Sequence, residues 1–169
     1  MQPTPRTRIE VRRANPADLD ALVALERQTF DSDQLSRAQY RRHLASGSAL
    51  VLAVDGSDPS LAGAAVVLFR KGSAVARLYS LATAAEARGK GVATALMEAV
   101  AVAARDRGCR VLRLEVRVDN VAAVGLYERQ GYRRIGRLAA YYEDGADGWR
   151  YERPVEPRDD GRVSGQRDL

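Results

Sequence analysis

The sequence predicts an α/β (α+β) domain in which a mixed, mainly antiparallel central sheet has helices on both faces. Two observations carry this prediction. The hydrophobic patterns place strands and helices in the order β–α–α–β–β–β–α–β–α–β–β. Three consecutive strands precede the central helix, so the chain lacks the regular strand–helix alternation of an all-parallel sheet. For 169 residues one domain is expected, assigned to residues 1–155, with residues 156–169 as a disordered tail.

The first half of the chain supplies four strands and two helices. Asn15 and Ser36 are favourable N-cap residues, and each precedes a segment with helical apolar spacing. Pro16 suits the first helical position because it has no N–H group to leave unbonded. The strands predicted from runs of apolar and β-branched side chains are residues 9–14, 48–56, 61–72 and 73–84.

The second half begins with a long helix over residues 91–107, which Gly108 ends. A strand follows at residues 110–118, and a short helix at residues 120–131. Two further strands close the fold around a turn at residues 144–148. Because they are joined by a turn, these last strands are expected to pair with each other.

The charge of the chain favours an anionic ligand. The formal net charge is +5, and among the 27 cations only Lys71 and Lys90 are lysine. A positive surplus attracts phosphates, acidic peptides or nucleic acid. The cations are scattered, and no basic stretch is interleaved with aromatic residues, so nucleic acid is not expected to be the main ligand.

Composition also bears on the compartment and on the kinds of site. Cys109 is the only cysteine, so an internal disulfide is impossible and the reducing cytoplasm is the expected location. The longest apolar stretches are too short to cross a bilayer, and the N-terminus lacks the apolar centre of a secretion signal. His43 is the only histidine, and no metal site is expected.

The sequence RGKGVA joins a predicted strand to the long helix. Free N–H groups at a helix start point toward one spot, and the helix dipole makes that spot positive. Gly89 and Gly91 allow an oxygen-bearing group to approach the main chain. Arg88 and Lys90 add positive charge, and Ala93 keeps the first turn low. The pattern predicts a diphosphate site, although on the local pattern alone a flexible turn with solvated cations is an alternative.

This turn resembles the R/Q-x-x-G-x-G/A signature of the GNAT superfamily of N-acetyltransferases. The resemblance is close over residues 75–153, through LYSLATAAEARGKGVATALMEAV, LRLEVRVDNVAAVGLYERQGYRRIGR and YYEDGADGWRYER, and covers residues 8–72 in element order only. The run LEVR…N…A…LYE…GY is most similar to that of bacterial ribosomal-protein alanine N-acetyltransferases. Two residues depart from the usual pattern. Ala93 replaces a frequent glycine, which the pattern permits, and Thr94 replaces a common arginine, which removes one phosphate contact.

The resemblance implies the GNAT fold and acetyl-CoA as co-substrate, without a metal. The diphosphate is expected on the main chain of the turn, and the thioester near Leu81, where the family's fourth strand splays from the fifth. A backbone N–H group there is expected to meet the oxyanion of the reaction. The implied contacts to acetyl-CoA are Leu81, Ala82, Thr83, Arg88, Gly89, Lys90, Gly91, Val92, Ala93, Thr94, Asn120 and Tyr127. For Asn120, a helix cap is an equally good explanation.

Glu115 is the first candidate catalytic residue. On the strand VLRLEVRV its side chain shares a face with Arg113 and Arg117, and a charge-paired, solvated sheet face is one explanation. The resemblance implies another, the general base that takes a proton from the acceptor amine. Flanking arginines are expected to make it a weak base. A weak base suits an α-amine, with a pKa of about 7.7–8.0, better than a lysine amine with a pKa of about 10.4.

Tyr127 is the second candidate catalytic residue. Acetyl transfer expels CoA as a thiolate, and a phenol can give a proton to that sulfur. The resemblance implies this role for the tyrosine of LYExxGY, which is Tyr127 here. A core aromatic residue packed beside Val124 is the alternative.

The acceptor groove is expected between two segments. Tyr141 and Tyr142 are implied to line one wall, and FDSDQLSRAQYRRHL is expected to form the other. The acidic residues Glu143, Asp144 and Asp147 are expected either to attract a cationic amine or to form an acidic hairpin turn.

The sequence therefore predicts an acetyl-CoA-dependent N-acetyltransferase that transfers acetyl directly to a primary amine, without an acyl-enzyme. The favoured acceptor is the N-terminal α-amine of a protein or peptide. Two alternatives stay open. One is an acetyltransferase for lysine or small-molecule amines, and the other is a non-catalytic regulatory module that binds acyl-CoA.

Overall fold

The computed structural model describes residues 8–157. The strands are β1 (Arg12–Arg13), β2 (Ala49–Asp55), β3 (Leu61–Phe69), β4 (Val75–Thr83), β5 (Val111–Arg117), β6 (Arg133–Leu138) and β7 (Gly148–Pro154). The helices are α1 (Leu19–Thr29), α2 (Arg37–Ala45), α3 (Val92–Asp106) and α4 (Val121–Arg129). The element order is the predicted one. Disorder was expected for residues 156–169, and the part of this tail beyond residue 157 lies outside the described residues.

The strands form one open sheet in the order β1-β2-β3-β4-β5-β7-β6. Within residues 8–157, β4 and β5 are the one parallel pair, and all other neighbours are antiparallel. The mixed, mainly antiparallel sheet is thereby confirmed. The first strand is shorter than predicted and comprises only Arg12–Arg13. The Arg12 guanidinium binds Asp18 and Asp55, each at 2.8 Å. These ion pairs hold β1 to the turn that follows it and to the end of β2, although its ladder with β2 is only two residues long.

The helices cover both faces of the sheet, as predicted. A Cβ atom at Gly63 in β3 would lie 2.6 Å from Val92 and 3.0 Å from Leu96, so α3 lies directly against this face. Helix α1 packs on β3 and β4, and α2 packs on α1 and β2. The largest buried side chain of the α1–α2 pair is Tyr40. The core therefore lies in two layers, one on each side of the sheet.

A gap opens in the sheet between β4 and β5. Their ladder pairs Val75–Arg77 with Val111–Arg113, and within the described residues it goes no further. The splay that was expected near Leu81 therefore begins earlier along β4, directly after Arg77. Glu115, two residues past the last residue of β5 that pairs with β4, lies beside this gap.

A bulge in β4 accompanies the gap. Ser80 pairs with Val66 in β3 and Leu78 pairs with Val67, so Tyr79 is the extra residue between them. A bulge bends its strand and leaves main-chain groups outside the ladder. The bulge thus turns β4 away from β5 and frees main-chain groups where the sheet separates.

Glu26 in α1 is buried, which the sequence analysis did not anticipate. Its Oε1 accepts a hydrogen bond from the Leu35 N–H group at 2.8 Å, and its Oε2 accepts one from the Tyr40 hydroxyl at 2.8 Å. These bonds attach the loop between α1 and α2, and α2 itself, to α1. Burial raises the pKa of Glu26 because the charged form loses its hydration.

Replacing Glu26 by alanine is expected to lower the free energy of unfolding by about 3 kcal/mol, because Leu35 and Tyr40 lose their acceptor and a cavity forms. Glu26→Gln is the matched control, since it keeps the volume and one acceptor oxygen.

The raised pKa means that the folded protein binds more protons than the unfolded chain, so stability falls as pH rises from the ordinary carboxyl range through the raised value. The Gln variant should lack this fall. Urea unfolding across pH measures both effects, and a Glu26→Ala protein as stable as wild type would contradict the account.

Candidate active site

The turn before α3 has the geometry of an anion site. Gly89 and Gly91 have left-handed backbone conformations, with φ of 76° and 86°. Such angles strain any residue that carries a Cβ atom, so the turn itself requires these two glycines. Gly91 is the N-cap of α3, and no side chain of the described residues caps this helix. The N–H groups of its first turn are therefore left for a ligand.

Space and charge at the turn suit a diphosphate. Gly89 and Gly91 are exposed, and an open cavity of about 1220 Å³ borders them on the side of residues 8–11. A Cβ atom at Gly89 would meet no neighbour within 4 Å. Arg88 and Lys90 are exposed next to the two glycines. Positive charge and open space thus coincide at the start of the helix.

The other residues predicted to contact acetyl-CoA at this junction differ in burial. Leu81, Thr83, Ala93 and Thr94 are half-buried. Ala82 and Val92 are buried, and Val92 packs against β3. For these two residues, the main chain is the part that a ligand can reach.

Glu115 projects from β5 toward the gap. Its side chain is 6% exposed. One carboxylate oxygen accepts a hydrogen bond from Arg77 Nε at 2.9 Å, and the other accepts one from Arg150 Nε at 3.3 Å. Arg77 belongs to β4 and Arg150 to β7, so Glu115 is held from both neighbouring strands. Glu115 is therefore charge-paired, as one explanation held, but its side chain is buried rather than solvated and its partners are Arg77 and Arg150.

The arginines predicted to pair with Glu115 bind elsewhere, although Arg113 and Arg117 do share its face. Arg113 binds Glu152 at 2.5 Å, and Arg117 binds carboxylates of three loops. The reason is geometric. Residues two apart on one strand are roughly 7 Å from each other, whereas directly paired residues on adjacent strands are about 5 Å apart. Glu115 therefore binds Arg150 and Arg113 binds Glu152, each directly opposite its partner, whereas Arg77 reaches Glu115 diagonally.

Tyr127 lies on α4 and is 9% exposed. Its ring packs edge-on against Tyr132, with the ring centroids 5.9 Å apart. Burial, and then the neighbouring phenols of Tyr132 and Tyr142, raise the pKa of Tyr127 above its ordinary value. A tyrosine hydroxyl carries its proton at neutral pH, which is the form that a proton donor needs, and the raised pKa keeps it so. The ring packs in the core, as the alternative explanation proposed, and the packing leaves the hydroxyl in donor form.

The loop between β6 and β7 brings two tyrosines toward Glu115. Tyr141 is 41% exposed, and its hydroxyl accepts a hydrogen bond from Arg77 Nη2 at 2.8 Å. Tyr142 packs edge-on against Tyr141, with centroids 5.1 Å apart. Burial, then the neighbouring Tyr141 and Glu115, raise the pKa of Tyr142 to about 12. Tyr142 also affects the pKa of Tyr127, so it lies near both candidate catalytic residues.

Acidic residues of the same loop are engaged in ion pairs. Asp144 binds Arg117 at 2.5 Å, and Asp147 binds Arg137 at 2.6 Å. Asp147 also accepts a hydrogen bond from the Ala140 N–H group at 2.8 Å. Of the two explanations left open by the sequence, the acidic hairpin turn describes these two residues.

With this geometry in place, the chain can be compared with known proteins. The sequence model of the acetyltransferase (GNAT) family matches residues 19–132, a range that includes the turn, Glu115 and Tyr127. The chain belongs to the GNAT acetyltransferase family. This match confirms the family predicted from the sequence.

Two curated relatives and one solved structure illustrate the GNAT likeness. N-alpha-acetyltransferase 30 of Schizosaccharomyces pombe is 45% identical over 71 residues, 42% of this chain and 47% of that protein. The N-alpha-acetyltransferase of Saccharolobus solfataricus is 39% identical over 89 residues, 52% of this chain and 51% of that protein. The match thus spans about half the length of these relatives. The ribosomal-protein-S18-alanine N-acetyltransferase from Escherichia coli shares the fold, with a TM-score of 0.77 at 22% identity over 96% of this chain and 99% of that one.

Contacts through Arg77 bring three of the predicted site residues together in the GNAT fold: Arg77 binds Glu115 and Tyr141, and Tyr141 packs against Tyr142. The turn follows β4 along the chain. Asn120 serves another role. Its side chain caps α4 by accepting a hydrogen bond from the Ala123 N–H group at 3.2 Å. Its contact with acetyl-CoA stays a prediction.

Sequence reasoning missed the two arginines that hold Glu115 in this GNAT site. Arg150 lies directly opposite Glu115 in the β5–β7 ladder, and Arg77 is the last residue of β4 to pair with β5. Both positions depend on the register of strands that are distant in sequence. For Arg77, the sequence feature that could have indicated this role is a cation within an otherwise largely apolar strand.

Within residues 8–157, no group of three or more His, Cys, Asp or Glu side chains is arranged to hold a metal ion. None of the helices in this part of the chain is long and apolar enough to cross a membrane. Burial raises the pKa of the Cys109 thiol, which keeps it protonated and a poor nucleophile.

Proposed function

We propose that this protein transfers the acetyl group of acetyl-CoA directly to the N-terminal α-amine of a protein or peptide. One observation carries the proposal: β4 separates from β5 and then leads into the turn that starts α3. No side chain among the described residues caps that helix. A diphosphate held by that turn directs a thioester into the gap beside Glu115. The turn fits the group, because left-handed glycines and free helix-start amides are what a diphosphate requires.

In this proposal acetyl-CoA supplies the activated acyl group, and the chain supplies alignment and proton transfer. Tyr127 donates its phenolic proton to the departing sulfur. Glu115 receives the proton of the amine, directly or through a water molecule. Main-chain N–H groups of β4, between the bulge at Tyr79 and Leu81, stabilise the oxyanion. The buried, protonated thiol of Cys109 takes no part, so no acyl-enzyme forms.

The choice of an α-amine follows from the chemistry of Glu115. Both of its oxygens already accept hydrogen bonds from guanidinium groups, so an incoming proton competes with these contacts. An α-amine with a pKa of about 8 is roughly one-tenth neutral at pH 7, whereas a lysine amine is less than about one-thousandth neutral. An α-amine therefore needs much less help from a base than a lysine amine does. The two curated relatives, both named N-alpha-acetyltransferases, support the same choice.

A pair of matched peptides tests the acceptor. One begins with a free alanine and contains a single internal lysine, and its twin has the same sequence with a blocked N-terminus. Mass spectrometry should locate acetyl on the α-amine of the first and find the twin modified at least about tenfold more slowly. Equal rates on the twin would favour a lysine acetyltransferase. CoA binding by calorimetry, with no turnover on peptides or small amines, would favour the non-catalytic module.

Glu115→Gln is expected to lower kcat about tenfold while leaving the affinity for acetyl-CoA unchanged, because it removes the proton acceptor and keeps the shape. Glu152→Gln is the matched control. It removes the carboxylate that binds Arg113 on the neighbouring strand, at 2.5 Å, and does not touch the gap. Its kcat should stay within about twofold of wild type. Equal losses in both variants would show that sheet charge, rather than proton transfer, explains the effect.

A further inference from the structure

Arg117 connects three separate segments at the end of β5. Its Nη1 lies 3.1 Å from Asp33 in the loop between α1 and α2, and its Nη2 lies 2.5 Å from Asp144 in the loop between β6 and β7. Its Nε lies 3.3 Å from Asp119, directly after β5. The Arg117 side chain is 22% exposed. One guanidinium therefore joins two loops that are more than a hundred residues apart in sequence.

Of the two loops that Arg117 joins, the β6–β7 loop reaches a partner of Glu115, because the Tyr141 hydroxyl accepts a hydrogen bond from Arg77. The α1–α2 loop is also held from inside by Glu26, through the Leu35 N–H group. The β6–β7 loop carries Tyr142, and the Arg117 guanidinium lies 5.0 Å from the centroid of that ring. Arg117 and Glu115 are two residues apart on β5, so their Cα atoms are roughly 7 Å apart.

Backbone geometry agrees with a loop held in place by this contact. Asp33 has a φ of 54°, in the left-handed region that residues with a Cβ atom seldom adopt. Such a conformation costs on the order of 1 kcal/mol and persists when surrounding contacts favour it. The ion pair with Arg117 is such a contact.

We propose that Arg117 is a positioning residue that joins the two loops and fixes the entrance for the acceptor, so that it determines acceptor recognition rather than chemistry or acetyl-CoA binding. The proposal rests on the proposed function to the extent that the acceptor enters beside Glu115. The Arg117 charge lowers the pKa of Asp144, so the pair stays ionised at neutral pH. Dissolved salt is therefore the agent that weakens the junction.

Arg117→Gln is expected to raise KM for the acceptor about fivefold, with kcat and the KM for acetyl-CoA within about twofold of wild type. The wild-type acceptor KM should rise as salt increases from about 50 to about 500 mM, and that of the variant should stay nearly constant. Arg117→Lys keeps the charge but presents a single ammonium, so it should restore part of the loss. Arg113→Gln is the matched control, since Arg113 lies on the same face of β5 and pairs with Glu152 away from both loops.

Hydrogen exchange gives a second readout that does not depend on turnover. Arg117→Gln should increase exchange in residues 31–35 and in residues 139–147, and Arg113→Gln should not. Unchanged exchange in both loops, or a fall in kcat with no change in acceptor KM, would overturn the proposal. The kinetics use whichever amine the wild-type protein acetylates. A lack of peptide acetylation by wild type therefore counts against the proposed function, and an unchanged acceptor KM in the variant counts against the role of Arg117.

Discussion

Gly91→Glu is expected to weaken acetyl-CoA binding by about 100-fold or more, which corresponds to about 2.7 kcal/mol. The substitution places a carboxylate at the N-cap of α3, where the first-turn amides are proposed to hold the diphosphate. Like charges a few ångströms apart repel strongly in a partly desolvated site. The glutamate side chain also occupies the space that the anion needs. Isothermal titration calorimetry with CoA measures the loss.

The Gly108→Glu variant is the control that separates the effect of backbone strain from that of the carboxylate. Gly108 follows the other end of α3, has a φ of 76°, and offers a new Cβ atom no neighbour within 4 Å. It therefore imposes the same kind of left-handed strain, on the order of 1 kcal/mol, without a carboxylate near the turn. CoA affinity should be unchanged in this variant. Unchanged affinity in Gly91→Glu would refute the assignment of the turn, and equal losses in both variants would point to strain.

Tyr127→Phe is expected to lower kcat by about 100-fold with little change in the affinity for acetyl-CoA. The phenylalanine ring keeps the edge-on packing against Tyr132, so the fold is preserved. Only the hydroxyl is lost, which in wild type carries its proton at neutral pH. Without it, the thiolate of CoA must leave unprotonated or take its proton from water. Steady-state and single-turnover kinetics, with the acceptor that the peptide test selects, measure the effect on the chemical step.

Tyr132→Phe is the matched control for this prediction. Tyr132 is the other ring of the same aromatic pair, it is buried, and burial raises its pKa to about 12. Removing its hydroxyl should leave kcat within about twofold of wild type, because the proposal gives it no proton to transfer. A Tyr127→Phe protein with full kcat would remove the phenol from the mechanism. If Tyr132→Phe lowered kcat by as much as Tyr127→Phe, altered packing would be the cause in both variants.

The parts of the site that depend on neighbouring residues could be predicted from the sequence. Gly89 and Gly91 before an apolar run indicate a helix start with open amides, and the structure has left-handed glycines at both positions. The order of strands and helices also follows from local periodicity. Strand alternation placed Glu115 on the polar face of β5, and the structure confirms that placement.

The rest of the site depends on contacts between distant segments. Arg77 and Arg150 are 38 and 35 residues from Glu115 in sequence, and only the register of three strands brings them together. The bulge at Tyr79 interrupts the alternation of β4, which no residue nearby predicts. Glu26 follows Leu22 by four positions and so occupies the buried face of α1, but its charge argued against burial. Its partners Leu35 and Tyr40, which make burial possible, are known only from the fold.

The central claim is that main-chain amides at the start of α3 hold the diphosphate and thereby direct the thioester into the gap between β4 and β5. A crystal structure of the protein with a non-reactive acetyl-CoA analogue tests it most directly. The account predicts the diphosphate within hydrogen-bonding distance of the N–H groups of residues 89–94, with the acyl end between Tyr127 and Glu115. A nucleotide bound elsewhere, with the turn free of contacts, would contradict it.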